Sequence, residues 1–216
     1  MEKREPVLSM RDLAVSFQAS FGKIRAVRGV NMDVYPGETV AIVGESGSGK
    51  SVSVKTIMGI TAPNAVIESG TIKFRFKENG KEQVVDLLKL SKKEMQHRIK
   101  GKRIAMVFQD PMTSLNPTIK IGKQIAEAVI IHNKNYTKDQ VDQKVLELME
   151  LVGISHPKER YHQYPWQFSG GMRQRCVMAI ALASDPDILF ADEPTTALDV
   201  TIQAQILDLL REIQMK

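Results

Sequence analysis

The first part of the chain alternates hydrophobic and polar side chains in the manner of β-strands. VLSMRDLAVSF and AVRGVNMDVY both show this alternation, and the polar, glycine-containing segment QASFGK separates them. A third run of the same kind is TIKFRF. Because successive side chains of a strand point to opposite faces, a period of two indicates strands with one buried face. These runs predict an antiparallel β-lobe near the N-terminus.

Three shorter runs are mainly apolar without alternation, which is typical of strands buried in a parallel sheet. They are ETVAIV (residues 38–43), RIAMVF (103–108) and the beginning of ILFADEP (188–194). Pro36-Gly37 predicts a turn immediately before the first of them.

Helical periodicity appears between and after these runs. SVSVKTIMGI carries apolar residues at helical spacing and stops at Gly59, RQRCVMAIALA indicates another helix, and the segment from Thr201 onward is amphipathic. The region 111–170 has the character of helices and loops. It contains one apolar stripe, which we interpret as a packing face, formed by Val141, Val145, Leu148, Met149 and Val152. The order of strands and helices predicts an α/β fold.

Composition narrows the class of protein only moderately. The 216 residues are 43% hydrophobic and carry a net charge of +5, which is enough for a full core but too modest to identify a partner. The single cysteine, Cys176, excludes an internal disulfide and fits a reducing, cytoplasmic compartment. The four histidines lack metal-ligand clustering. The basic stretch KLSKKEMQHRIKGKR lacks interleaved aromatic residues, so we predict a solvated surface and no nucleic-acid partner.

The segment GESGSGKS matches the phosphate-loop pattern of glycine, four residues, glycine, lysine and serine. Glycines let successive backbone N–H groups converge on one anion, and the helix that follows adds its positive end. We expect Lys50 to reach the β- and γ-phosphates of a nucleoside triphosphate, and the Ser51 hydroxyl to ligate magnesium. The predicted nucleotide-binding residues are Gly44, Glu45, Ser46, Gly47, Ser48, Gly49, Lys50, Ser51 and Val52.

An acidic pair follows the last apolar run. Asp192 and Glu193 end ILFADEP, and ligands of open α/β sheets bind at the ends of strands. Magnesium prefers hard oxygen ligands, so Asp192 is a candidate to hold it through water. Glu193 is a candidate general base that polarises an attacking water. A solvated acidic turn or a helix cap is the alternative interpretation of the pair.

The segment FSGGMRQR (168–175) predicts a second helix start suited to an anion. Ser169 is a favourable N-cap residue, and Gly170 and Gly171 follow it. Read alone, Ser169 is only a cap. Beside a phosphate loop it indicates a second nucleotide contact, and because one nucleotide does not easily touch both helix starts, a partner subunit is implied.

Five motifs follow one another along the chain: GESGSGKS, VFQDP, FSGGM, ILFADEP and TALD. This succession resembles that of the ATP-binding subunits of ABC transporters, over nearly the whole chain. The resemblance implies a RecA-like P-loop NTPase core with an N-terminal antiparallel β-lobe and an inserted helical lobe at about 111–170. It also implies a single nucleotide-binding domain over 1–216 that binds ATP and Mg²⁺.

The resemblance assigns further roles. Gln109 of VFQDP would contact magnesium, take part in catalysis and sense the transmembrane partner. Asp199 of TALD would tie two subunits together. Phe17 matches the aromatic position that stacks on adenine, with Phe21 as the alternative.

In the same family the signature residues act across a subunit interface. Ser169 and Gly171, with Gly170 between them, would cap the γ-phosphate of ATP held by the opposite subunit. The resemblance therefore implies a head-to-tail dimer of two ATP-binding subunits.

The residues within and around these motifs resemble those of one branch of the family. FQDPMTSLNP, FSGGMRQR and DEPTTALDVTIQAQIL look like the oligopeptide and dipeptide importers, a branch that also includes nickel importers. The chain departs from that branch at Trp166 and Gln167, where histidine and glutamate are usual.

The implied function is ATP hydrolysis at the cytoplasmic face of a membrane, powering peptide uptake through separate permease subunits and, indirectly, an extracytoplasmic solute-binding protein. The alternatives are a nickel importer, a soluble ABC ATPase acting on nucleic acid or ribosomes, and a regulatory module without turnover. In the family a switch histidine follows the Asp-Glu strand, whereas all four histidines here precede Ser169. We therefore expect a C-terminally truncated, weakly active chain.

Overall fold

The computed structural model describes residues 4–20, 22–108, 111–193 and 200–215. The chain divides into two compact units, Met1–Lys100 and Gly101–Lys216. Each unit has its own sheet.

A four-stranded antiparallel sheet dominates the first unit, with the strand order β2-β1-β3-β4. Its strands are β1 (Leu8–Ala19), β2 (Gly22–Val34), β3 (Ala65–Glu78) and β4 (Lys81–Asp86). In the register, Leu8 of β1 lies opposite Val34 of β2 on one side and Phe74 of β3 on the other. The antiparallel sheet predicted from the alternation is thereby confirmed.

Strand β1 is central in this sheet and supplies much of its core. Leu8, Met10, Leu13 and Val15 are at most 1% exposed. The register with β2 shifts between Val15 and Ser16, and Ser16 is buried as well. Such a shift marks a β-bulge, which bends and twists the strand that carries the extra residue.

Short helical elements complete the first unit. Helix α1 (Lys50–Ile57) follows the candidate phosphate loop, as the sequence predicts. After β4 come a 3₁₀ turn (Leu87–Lys89), helix α2 (Lys92–Glu94) and a π-helical turn (Met95–Ile99). The side chain of Ser91 caps α2 and Glu94 bonds back to Ser91, which is a capping box.

The apolar run 38–43 does not form the buried strand that its composition predicts. It has no regular secondary structure, and its side chains are exposed: Val40 by 38%, Ile42 by 41% and Val43 by 87%. The strands described in the structure pair among themselves in two sheets, neither of which includes this run. A strand is defined by hydrogen bonds to a neighbour, and a short apolar run does not by itself specify that neighbour.

A two-stranded parallel sheet lies in the second unit. β5 (Ile104–Val107) pairs with β6 (Ile188–Ala191), and Ile104 lies opposite Ile188. Both segments are strands, as predicted. β5 is fully buried. β6 is only half-buried and becomes exposed at Ala191, so the prediction that this last strand is buried is wrong. Within the described residues β6 has a partner strand on one side only.

Helices make up most of the second unit. They are α3 (Pro111–Ser114), α4 (Ile121–His132), α5 (Lys138–Leu151), α6 (Pro157–Arg160), a 3₁₀ turn (Pro165–Gln167), α7 (Gly170–Leu182) and α8 (Val200–Met215). None of the helices in the described part of the chain is long and apolar enough to cross a membrane.

One apolar core holds these helices together. The predicted stripe on α5 and at its end is buried, since its members are at most 5% exposed: Val141, Val145, Leu148, Met149 and Val152. The amphipathic character of α8 is confirmed too, because Ile206 and Leu209 are buried in the same core. Since α7 and α8 share this core with the preceding helices, a separate helical lobe at 111–170 stays a prediction.

Candidate functional site

The candidate phosphate loop ends at a glycine that the backbone requires. Gly49 precedes α1 with φ 93°, in the left-handed region, and a Cβ built on it would lie 2.5 Å from the carbonyl oxygen of Ala26. A larger residue at this position would cost free energy, both because of the left-handed conformation and because of the close approach to β2. The loop is therefore seated directly on the backbone of β2, within the first unit.

The side chain of Lys50 is folded back over the loop that precedes it. Its Nζ donates to the carbonyl oxygens of Gly44 at 2.7 Å and Glu45 at 2.8 Å. An ammonium group has three donors, so these two bonds leave one for another acceptor. The lysine thus fixes the curl of the loop and keeps a positive charge at the helix entrance.

The first turn of α1 presents backbone donors at that same entrance. The N–H groups that open a helix have no intrahelical acceptor, and Gly49 supplies no side-chain cap. The hydroxyl of Ser53 donates to the carbonyl of Gly49 at 3.1 Å, and that of Thr56 to Val52 at 2.7 Å, so both are turned inward along the helix. A helix start with uncapped donors and a cation is an anion-binding arrangement.

Phe17, the predicted adenine-stacking residue, lies on β1 and is half-buried. Its backbone is opposite Ile24 of β2 and Ala65 of β3. Its rival Phe21 lies outside the described residues, so the choice between them stays a prediction.

The predicted acidic pair follows β6 in the second unit. The backbone N–H of Asp192 donates to the carbonyl of Val107 at 3.0 Å, which continues the β5–β6 ladder by one residue. Glu193 then turns sharply with φ 47° and is exposed. A residue other than glycine in the left-handed region stores strain, and such strain clusters at functional sites. The turn presents the Glu193 carboxylate just beyond the strand end.

The predicted signature opens α7. Ser169 is the N-cap residue, and its Oγ accepts a hydrogen bond from the N–H of Met172 at 3.3 Å. Gly170 and Gly171 form the first two positions of the helix. A Cβ on Gly171 would lie 2.7 Å from Cγ2 of Ile202 in α8, so close packing of two helices explains this glycine. Ser169 itself is exposed.

The structure does not bring all the predicted site residues together. Gln109 and Asp199 lie outside the described residues. The loop 44–52 belongs to the first unit, whereas Asp192, Glu193 and Ser169 belong to the second. The assembly of all of them into one site stays a prediction.

The donor chemistry of the predicted magnesium ligands fits the ion. Ser51 is the second residue of α1 and offers a hydroxyl oxygen, and Asp192 offers a carboxylate. Mg²⁺ prefers such hard oxygen donors and is usually held by one or two protein groups together with phosphate oxygens and water. Among the described residues no group of three His, Cys, Asp or Glu side chains could hold a metal ion.

Sequence reasoning missed the neighbours that support the loop. Ala26 contacts Gly49 across a separation of many residues, and no local pattern indicates this contact. The glycine before Lys50 was the only signal, because a glycine at that position suggests a close approach of backbone.

Comparison with known proteins identifies the family. The family model described as "ABC transporter" matches residues 27–196. The chain belongs to the ABC transporter family. This result agrees with the order of motifs in the sequence.

Two curated relatives show which members of the family the chain is similar to. The chain is 54% identical over 211 residues to the oligopeptide transport ATP-binding protein OppD of Bacillus subtilis strain 168, covering 97% of this chain and 56% of that protein. It is 55% identical over 213 residues to the dipeptide transport ATP-binding protein DppD of the same strain, covering 98% and 61%. The chain thus spans about three-fifths of the length of these curated relatives.

Solved structures share the fold. The dimeric structure of MJ0796, described as a bacterial ABC transporter cassette, matches with a TM-score of 0.78 at 25% identity, over 96% of this chain and 83% of that one. The structure of cbiO1 from Clostridium perfringens, described as part of the transporter complex cbiONQ, matches with a TM-score of 0.77 at 28% identity, over 98% and 74%. The α/β fold of an ABC ATPase, expected from the motifs, is confirmed.

Proposed function

We propose that the chain binds Mg-ATP on residues 44–52 and hydrolyses it as the ATP-binding subunit of an importer. The observation that carries the proposal is the helix start at Gly49 and Lys50, where α1 has no side-chain cap and Lys50 is held against the carbonyl groups of the preceding loop. Converging N–H donors and a cation are what a polyphosphate requires.

In the proposed reaction a water molecule attacks the γ-phosphorus of ATP. Glu193 takes a proton from this water, the bond from the γ-phosphorus to the β–γ bridging oxygen breaks, and ADP leaves. Lys50 offsets the negative charge that accumulates on the phosphate oxygens. Mg²⁺, which Ser51, Asp192 and Gln109 would hold, supplies further charge neutralisation when bound.

A second subunit completes the proposed site. The exposed Ser169 and the glycine start of α7 present a helix N-terminus, which suits the γ-phosphate of ATP held by a second ATP-binding subunit. The matched MJ0796 structure is described as dimeric, which supports a dimer here. In this arrangement Asp199 contributes to the contact between the subunits.

The proposed cargo is oligopeptides or dipeptides. Relatives with these names are 54% and 55% identical to this chain over nearly its whole length. The subunit would then work at the cytoplasmic face of the membrane, against permease subunits that carry the peptide. Deleting the encoding locus should impair uptake of a labelled dipeptide or tripeptide. Normal uptake of both, with impaired nickel uptake, would assign the nickel alternative instead.

Replacing the candidate base tests the enzymatic part of the proposal. Glu193→Gln should leave ATP affinity within about twofold and lower the hydrolysis rate by about a hundredfold or more, because a general base contributes roughly that factor. Phosphate release and calorimetric titration measure the two quantities. Glu212→Gln, the same change at an exposed position of α8, is the matched control. Hydrolysis by Glu193→Gln at the rate of Glu212→Gln would remove Glu193 from this role.

A further inference from the structure

An open groove of about 350 Å³ runs between strand β2 and the candidate phosphate loop, within the first unit. Arg25, Val27 and Arg28 line it on the side of the strand, and Gly47 and Ser48 line it on the side of the loop. The groove therefore has two arginine residues on its strand side, beside the loop that is predicted to hold phosphate.

An irregularity in β2 accounts for this arrangement. Ser16 of β1 lies opposite Arg25, whereas Val15 lies opposite Val27, so β2 carries one extra residue between them. That residue is Ala26, whose carbonyl oxygen approaches Gly49 of the loop. A bulge re-aims the side chains around it. The point where the strand touches the loop is thus flanked by two arginines.

The charge of Arg28 is not neutralised by a neighbour. The Arg28 side chain is exposed and makes no hydrogen bond or ion pair within the described part of the chain. An arginine in this state keeps all five of its donors for a ligand or for water.

Arg25 differs from Arg28 because an acidic group lies near it. Hydrogen bonds from Lys23 and from Ser16 lower the pKa of Glu68, and the charge of Arg25 adds a smaller lowering. Lys23 holds the Glu68 carboxylate directly at 2.7 Å, and the hydroxyl of Ser16 donates to it at 2.5 Å. Arg25 therefore contributes a cation to the groove, but one whose field Glu68 partly offsets.

We propose that Arg28, supported by Arg25, binds the phosphate chain of the nucleotide that the loop holds. This inference rests on the proposed function, because it concerns the same nucleotide. Lys50 uses two of its three donors on Gly44 and Glu45, so it keeps one donor for the phosphate chain, whose charge it would share with Mg²⁺. The planar fork of a guanidinium matches two phosphate oxygens and adds positive charge from β2. Arg28 is in this sense a positioning residue for the phosphates.

The test compares calorimetric affinities of the chain for ATP, ADP, adenosine and inorganic triphosphate. Arg28→Ala should weaken ATP and triphosphate binding about tenfold, the low end for a charge-assisted hydrogen bond at an exposed site. Arg25→Ala should weaken them less, about threefold, and Arg28→Lys should recover part of the loss. Adenosine affinity should stay unchanged. Because salt screens exposed charges, the effect should shrink at about 0.5 M salt.

Lys73→Ala is the matched control, because it removes one exposed cation from β3 of the same sheet without touching the groove. An effect of Arg28→Ala on ATP equal to that of Lys73→Ala would overturn the inference while leaving the proposed function intact. Equal losses for adenosine and ATP would overturn the assignment to phosphate. A wild-type chain that does not bind ATP, or binds it equally well after Lys50→Ala, would overturn the proposed function itself and this inference with it.

Discussion

Two helix starts in this protein share a glycine-rich approach but differ in what they do with their free backbone donors. Helix α1 begins after Gly49, which offers no capping side chain, and its first residue is the cation Lys50. Helix α7 begins after Ser169, whose hydroxyl already accepts the N–H of Met172. The first start therefore has no side-chain cap, and the second uses one of its N–H groups in its own cap.

This difference separates a primary anion site from a conditional one. An anion at α1 meets uncapped donors, a positive helix end and an ammonium group at once. An anion at α7 gains the helix end, but it must share the serine hydroxyl with the helix. We infer that α1 binds the nucleotide by itself, and that α7 contributes only when another subunit presents its nucleotide there.

The largest expected effect comes from removing the cation of the first helix start. Lys50→Ala should weaken ATP binding by about a hundredfold, since a hydrogen bond to a charged group is worth up to about 3 kcal/mol and about 1.4 kcal/mol corresponds to tenfold. Titration calorimetry measures the change. Lys55→Ala, which removes a cation from the last turn of the same helix, is the control. Equal affinities for the two variants would mean that α1 is no more of an anion site than α7.

A smaller effect is expected from the glycine that seats the loop on β2. Gly49→Ala should destabilise the fold by about 2–6 kcal/mol, because strain at positive φ and overpacking each cost about 1–3 kcal/mol. ATP affinity should fall with it, by about tenfold, since a displaced loop no longer aims its donors. Thermal unfolding and calorimetry measure the two changes.

Gly47→Ala separates the two causes. Gly47 also has a positive φ, of 79°, but a Cβ there meets nothing within 4 Å. Its variant therefore carries the backbone strain without the collision with Ala26. If both variants unfolded at the same temperature, the contact between the loop and β2 would contribute nothing to the stability of the fold.

Local patterns in the sequence predicted those features that depend on neighbours in the chain. The alternation in β1 and β2 gave the antiparallel sheet, and the stripe from Val141 to Val152 gave the buried face of α5. The pattern of the candidate phosphate loop, followed by SVSVKTIMGI, predicted a helix after the loop, which is α1. In each case the periodicity or the spacing carries the physical requirement directly.

Features that depend on distant partners were not predictable in the same way. The runs 38–43 and 103–108 are both mainly apolar, yet only the second, as β5, has a strand beside it in the described structure. A bulge in β2 brings Ala26 against Gly49 and places an arginine on either side of this contact. No residue pattern in the sequence predicts this bulge. Long-range pairing, rather than propensity, decides these cases.

The smallest expected effect on the isolated chain is at the second helix start. Ser169→Ala should lower stability by about 1 kcal/mol, the usual cost of losing an N-cap, and should leave ATP affinity at low protein concentration unchanged. Thr137→Ala is its matched control, because Thr137 caps α5 in the same unit. Hydrolysis measured at rising protein concentration should distinguish them: the Ser169 variant should lose most of the concentration-dependent rate, and the Thr137 variant should keep it. A loss of affinity in dilute Ser169→Ala approaching that of Lys50→Ala would show that α7 binds the chain's own nucleotide, and the distinction between a primary and a conditional site would be wrong.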